Sequence, residues 1–314
     1  VTLLYAVLNV AEAGDNIVVP AVFAAWGGRG LIHTLLRFGI NVRVVETGEA
    51  EEFVHATDRR TRAYVAESVS GPELSVFPTA PVAALGRTFG IPLIIDNTAA
   101  PQAIRPLADG AAVVVYSGIG AVGGHGTGDG GIVIDGGGFA WDSAPERLPS
   151  LNRPDPSYHG TVWTKVVRQW NASAYIASMR GRFLRDFGAA ISPFEVVDLL
   201  HGVETLPLRA RQQADNAARV AAALARHPGV AAVLGPIGGR IAIRLGDPAG
   251  AARLVSRLNL IRVSTQGGDL RSSIFEVAPG LLHLWVGLEH ADDIVADLTG
   301  DDVTKLNNKR DSVK

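Results

Sequence analysis

An α/β fold built on a mostly parallel sheet is predicted by three features of this chain. Through Asp135, helix-periodic segments alternate with short apolar, β-branched runs such as Val113-Val114-Val115, and that alternation builds a sheet covered on both faces. The 314 residues exceed the size at which one hydrophobic core stops growing, so two domains are expected. From Gly229 onward the order becomes strand, helix, strand, strand, helix, the pattern of a smaller α+β unit.

Each element has a local reason. Val1–Glu12 reads as an amphipathic helix closed by Gly14-Asp15, and Asn16–Val19 as a strand. Trp26–Phe38 suits a second helix, stopped by Gly39, with strand Asn41–Val45 behind it. Thr61–Ser68 carries strand signal in Ala63-Tyr64-Val65; Pro78–Phe89 is helical, Ile91–Ile95 is a strand ending at Asp96, and Ala111–Tyr116 repeats it. Asp142–His159, rich in Pro, Ser and Asp, reads as loop. Helical tracts follow around Thr161–Phe187 and Pro193–His227, the second broken or bent at Pro207, where a backbone donor is missing. The small unit reads as strand Arg240–Leu245, helix Ala249–Leu258, strands Ile261–Ser264 and Leu281–Val286, and helix Ala291–Leu298. The resulting domain expectation is a large domain over 1–190, inter-domain helices over 191–228, a small domain over 229–300 and a polar tail over 301–314.

Composition narrows the function classes. Apolar residues make up 47% and cysteine is absent, which excludes disulfides and thiolate metal sites and agrees with a cytoplasmic location. A formal charge of −2 gives no general attraction to nucleic acid or anionic membrane. No apolar run reaches spanning length, and no pair among the eight histidines has metal-ligand spacing. The chain begins at Val1 inside a helix-like pattern with no preceding cap and no basic leader, which predicts an upstream segment or an alternative start codon rather than a signal peptide.

The most informative stretch is Val113–Asp135, VVVYSGIGAVGGHGTGDGGIVID. Two apolar runs frame a glycine-rich loop, and buried strands around an open-backbone loop commonly mark a cofactor site. The loop resembles HSATKFIGGHGTSIGG, the lysine loop of the Cys/Met-metabolism (trans-sulfuration) enzymes that use pyridoxal phosphate (PLP). That family includes O-acetylhomoserine sulfhydrylase and cystathionine γ-synthase. Further likeness runs through nearly the whole chain: LLYAVLNVAEAGDNIV (Leu3–Val18), HTLLRFGI (His33–Ile40), IPLIIDNTAA (Ile91–Ala100), DPSYHG (Asp155–Gly160), LRDFGAAISPF (Leu184–Phe194), HGVETLPLR (His201–Arg209) and VGLEHADDIVADL (Val286–Leu298). The resemblance implies a PLP-dependent transferase-like fold of type I.

It also implies site roles, taken residue by residue. Asp96, in LIIDNT, falls on the aspartate that pairs with the pyridinium nitrogen and makes the ring an electron sink. Ser117 falls on a serine that hydrogen-bonds the phosphate, and Gly123-Gly124-His125-Gly126-Thr127 matches GGHGT. The Schiff-base lysine falls on Gly120, the neighbouring threonine on Ile119, the stacking aromatic on Ala24 and the asparagine of ETIGNP on Gly71 in ESVSGP. The substrate-carboxylate arginine of LIRLSVG falls on His283 in LLHLWVG, and imidazole does not replace a bidentate guanidinium. Phe23 and Trp26 are core residues that would stack on a ring only if the turn is rebuilt. None of the four lysines, Lys165, Lys305, Lys309 and Lys314, sits at a strand end beside Asp96. The phosphate loop and N-terminal arm are expected upstream of Val1. An Asp–pyridinium bond contributes about 1.5–3 kcal/mol, whereas millimolar affinity needs about 4 kcal/mol, so PLP is not expected to be held firmly.

Together these assignments predict a degenerate homologue, catalytically inactive by itself, whose ancestral reaction is γ-replacement or sulfhydrylation on a homoserine-derived amino acid. Three alternatives stand beside it: a non-catalytic partner subunit of an intact paralogue, an active family enzyme with a rearranged site, and a dinucleotide-binding oxidoreductase through Gly118, Gly120 and Gly123. The last requires a helix opening at the third glycine, and GHGTGDGG does not favour one. Because family members build their sites across a dimer interface, the chain is expected to form a homo-oligomer or heteromer, covering an apolar face that the Val1–Val10 helix would otherwise expose.

Overall fold

The computed structural model describes residues 1–118, 120–126 and 130–300. Strands β1 (Asn16–Pro20), β2 (Asn41–Val45), β3 (Thr61–Glu67), β6 (Leu93–Asp96), β7 (Val113–Tyr116) and β8 (Ile132–Asp135) form one sheet in the order β2-β1-β3-β6-β7-β8. The first five run parallel and β8 runs antiparallel to β7. A two-stranded hairpin, β4 (Val69–Ser70) and β5 (Ser75–Val76), follows β3. Strands β9 (Val230–Ile237), β10 (Arg240–Leu245), β11 (Arg262–Val263), β12 (Ser273–Ala278) and β13 (Leu281–Trp285) make a second sheet, ordered β11-β12-β13-β10-β9. The mostly parallel sheet and the separate smaller sheet match the predicted architecture.

The parallel sheet is buried on both faces. Val7, Leu35, Ile94 and Tyr175 pack on one side, and Phe53, Tyr64, Val82 and Ile95 on the other. The second sheet has its own core of Val220, Leu224, Ile241, Ile274, Leu284 and Ile294, contributed partly by the helix Pro193–Leu224.

Several expectations need correction. The first helix is shorter, Thr2–Leu8, and does not expose an apolar face: Leu3, Ala6 and Val7 are buried, and the Tyr175 hydroxyl donates to the Ala6 carbonyl at 2.6 Å. The segment expected as one helix over Trp26–Phe38 is two, Ala21–Ala25 and Arg29–Arg37. Gly27 and Gly28 separate them, and a Cβ on Gly28 would lie 2.3 Å from Phe23 Cε1. Pro207 breaks nothing: one helix runs from Pro193 to Leu224. A capping box between Ser192 and Glu195 starts it, and burial of Leu206, Val220 and Leu224 offsets the missing hydrogen bond. The expected loop 142–159 contains a helical turn, Pro149–Asn152, and a 3-10 turn, Pro156–Tyr158. The tail expected over 301–314 lies outside the described residues. Among the described residues no helix is long and apolar enough to cross a membrane.

Candidate functional site

Parallel strands end together, and ligands in such sheets sit beyond their carboxyl ends. β3 ends at Glu67 and β6 at Asp96, paired directly in register, and Ser117 follows β7. All three line a cavity of about 770 Å³, whose far wall comes from the second unit through Arg262, Ser264 and Trp285.

Asp96 and Ser117 are brought together, but onto each other. The Ser117 hydroxyl donates to Asp96 Oδ2 at 2.5 Å, while Asp96 Oδ1 accepts from the Thr98 backbone N–H at 2.9 Å and from the Thr98 hydroxyl. The Ser117 N–H in turn donates to Thr98 Oγ1 at 2.7 Å. Both carboxylate oxygens are therefore engaged within the chain, and the Ser117 hydroxyl proton is spent on Asp96.

Gly120 opens a single helical turn, Gly120–Gly123, on the cavity wall. Among the described residues a Cβ there would meet Gly126 Cα alone, at 3.5 Å, an ordinary contact distance, so they leave room for a side chain that the sequence does not supply. The turn ends where a dinucleotide fingerprint needs its helix to begin. Ile119 and Thr127, matched to the family's threonine and to GGHGT, lie outside the described residues. Phe23 is buried and lines the cavity, whereas Trp26 is 45% exposed and lies outside the lining. Ala24 packs against the large-domain core. Gly71 turns the β4–β5 hairpin at φ +75°, where a Cβ would clash with Val22. Lys165 is exposed and outside the cavity lining; Lys305, Lys309 and Lys314 are outside the described residues.

His283 is 2% exposed. Its Nε2 lies 2.8 Å from the Pro72 carbonyl, which only accepts, so Nε2 carries the proton. Nδ1 then accepts from Arg240 Nη2 at 2.8 Å. Burial, with the Arg240 charge second, pushes His283 down to about 4, so the ring is neutral near pH 7. A neutral ring with both nitrogens engaged offers a substrate carboxylate nothing.

Sequence reasoning missed Glu67, Arg240 and Arg209. Glu67 opens the stretch ESVSGP that ends beside Gly71, and its carboxyl is seated on Gly27, where a Cβ would lie 1.8 Å from Oε1. Burial, and next the Asp96 charge, raise Glu67 to about 7, with Arg240 opposing. Arg240 is lowered to about 10 by burial and opens an apolar strand, RIAIRL, where a charge is the signal. Arg209 pins the glycine turn by donating to the Ala121 and Val122 carbonyls at 3.1 and 2.7 Å. Its own helix packs closely there: a Cβ on Gly202 would lie 2.4 Å from Gly123 Cα.

PLP held as a Schiff base needs an amine at the cavity, and among the described residues lining it there is no lysine. The residues present therefore do not fit a covalently held cofactor. Among the described residues there is also no group of three or more His, Asp or Glu able to hold a metal ion.

The α/β fold superposes on solved PLP-dependent O-acetylhomoserine sulfhydrylase-type enzymes, which places it in the PLP-dependent transferase-like fold class. A family model for Cys/Met metabolism PLP-dependent enzymes matches residues 2–237, and the chain belongs to that family. It is 34% identical to an O-acetyl-L-homoserine sulfhydrylase of Leptospira meyeri, over 94% of this chain and 76% of that one. It is 31% identical to a homocysteine/cysteine synthase of Saccharomyces cerevisiae, over 93% and 76%. A solved structure of a putative O-acetylhomoserine (thiol)-lyase from Campylobacter jejuni, which contains N'-pyridoxyl-lysine-5'-monophosphate, superposes with a TM-score of 0.85 at 29% identity, covering 94% of this chain and 78% of that one.

Proposed function

We propose that this chain is a member of the O-acetylhomoserine sulfhydrylase group that performs no Schiff-base chemistry by itself. The observation that carries the reading is the cavity at the carboxyl ends of the strands: it keeps Asp96 and Ser117, yet Gly120 stands on its wall and no lysine is among its described lining residues. Lysine and cofactor together move protons at the substrate carbons in the family reaction, and Gly120 has no group to donate or accept them. Asp96 and Ser117 are then residual cofactor contacts, too few to retain PLP firmly.

Protein purified with excess PLP is expected to show no internal-aldimine absorbance, and borohydride is expected to fix no cofactor on it. A stoichiometric pyridoxyl-lysine peptide, wherever it maps, overturns this reading.

A second role, as partner subunit of an intact paralogue, is favoured by one surface. The first half of the Pro193–Leu224 helix presents Phe194, Val197, Leu200 and Leu208 to solvent, with Phe194 85% exposed. Exposed apolar faces of this kind mark interfaces. Pull-down from native lysate is expected to recover a lysine-bearing family member or a second copy. A monodisperse monomer by light scattering, with no family member co-purifying, removes the partner role.

A further inference from the structure

Two residues that differ in character from the matched family pattern, His283 and Trp285, meet Arg240 at the cavity wall. In LLHLWVG, His283 stands at the arginine of LIRLSVG and Trp285 at its serine. The antiparallel register of β10 and β13 sets Arg240 opposite Trp285 and Ala242 opposite His283. The Arg240 guanidinium lies 4.8 Å from the Trp285 ring centroid, a cation–π distance, while its Nη2 bonds His283. Trp285 lines the cavity; Arg240 is not among the lining residues. The indole also fills the space beside the loop after β11: a Cβ on Gly267 would lie 2.2 Å from Trp285 Cδ1. Behind it, Arg240 Nε is buried without a partner, and the Glu67 carboxyl attracts the guanidinium from the large sheet.

We propose that Arg240 and Trp285 have taken over the charge and the volume of the pocket at His283, so that the cavity rejects amino-acid carboxylates and a guanidinium restored at His283 is not accommodated while Arg240 remains. The inference deepens the proposed function and rests on its reading of the site. A carboxylate approaching Trp285 on this wall meets an indole and the Glu67 carboxyl, while Nη2 of Arg262, a cationic side chain that also lines the cavity, is engaged by both oxygens of Asp269. An arginine replacing His283 would bring two buried guanidiniums to hydrogen-bond distance with no second carboxylate between them. The missing clamp is thus held in its present form by a neighbouring strand, not by one substitution alone.

The test is thermal unfolding of the wild type, His283→Arg, Arg240→Met, the double variant, and the double variant carrying Trp285→Ser, each with and without excess L-methionine as the carboxylate probe. His283→Arg is expected to lose about 5 °C or more in Tm, and adding Arg240→Met to regain at least half of that. L-Methionine is expected to leave the wild-type Tm unchanged and to raise that of the triple variant. A His283→Arg protein as stable as wild type overturns the proposal. So does a wild-type Tm rise with L-methionine that Arg240→Met abolishes. If His283→Arg does not fold, the NMR titration of His283 decides: Arg240→Met is expected to move it upward, and an unmoved titration overturns the proposal. Borohydride labelling of the same wild-type protein reports separately on the lysine reading, so the two fail independently.

Discussion

Gly120→Lys is expected to restore no useful turnover with O-acetylhomoserine or cystathionine, remaining at least about 10³-fold below an intact family member. The described residues leave space for it, because the nearest of their atoms to a Cβ at Gly120 is Gly126 Cα at 3.5 Å. The obstacle is that groups acting as a unit do not contribute additively. The Ser117 hydroxyl is committed to Asp96, Ala24 presents no ring to stack, and His283 is neutral with both nitrogens engaged. An added amine would stand in a cavity that neither orients a cofactor ring nor holds a substrate carboxylate. The measurement is a sulfhydrylase or lyase assay on the single variant. Activity within a few fold of an intact relative would show that the lysine alone was limiting.

Much of the fold was legible because many of the strands are short, apolar and bounded by glycine. Asn41–Val45 and Arg240–Leu245 were located to the residue. The misses have physical causes. β9 and β12 carry half-exposed, irregular patterns such as VAAVLGPI, which alternate too weakly to read as strands. The Pro193–Leu224 helix survives its proline because tertiary burial outweighs one absent donor, which propensity alone does not weigh. The first helix was expected to expose an apolar face because its partners, Tyr175 and the strands beneath it, lie far away in sequence.

The site divides differently. The residues matched to family motifs could be read one at a time, since each falls in a motif. What surrounds them in the fold could not, because those partners are long-range. Glu67 joins Asp96 only through the β3–β6 register, and Arg240 joins His283 only through the β10–β13 register. The arginine that opens RIAIRL looks like a solvated strand end until the opposite strand is in place. The Ser117–Asp96 bond shows the same limit: the motif offered two cofactor contacts, and the fold ties them to each other.

Glu67→Gln is expected to change the pH dependence of stability more than its mean. The folded carboxyl titrates near 7, against an ordinary value of 4.5, because burial and the Asp96 charge outweigh Arg240. As pH rises between those values, the unfolded chain gives up this proton while the folded chain keeps it. Wild-type stability therefore falls across that window, by at most about 3 kcal/mol. His283 acts in the opposite sense: its folded value, about 4, lies below the ordinary 6.5, so its contribution is complete above 6.5 and lost as pH falls toward 4. In the wild type the two slopes oppose each other over overlapping ranges. Glutamine removes only the first, so the variant should gain on the wild type steadily from about pH 4.5 to 7 and hold that gain above it. Loss of the attraction between ionised Glu67 and Arg240 trims the gain without reversing its slope, since that attraction is already contained in the titration near 7. Urea unfolding of both proteins at pH 5 and pH 8 measures the difference directly. A variant-minus-wild-type difference that stays constant with pH would mean that Glu67 ionises as an ordinary carboxyl, and that Arg240 and Asp96 balance at the cavity wall.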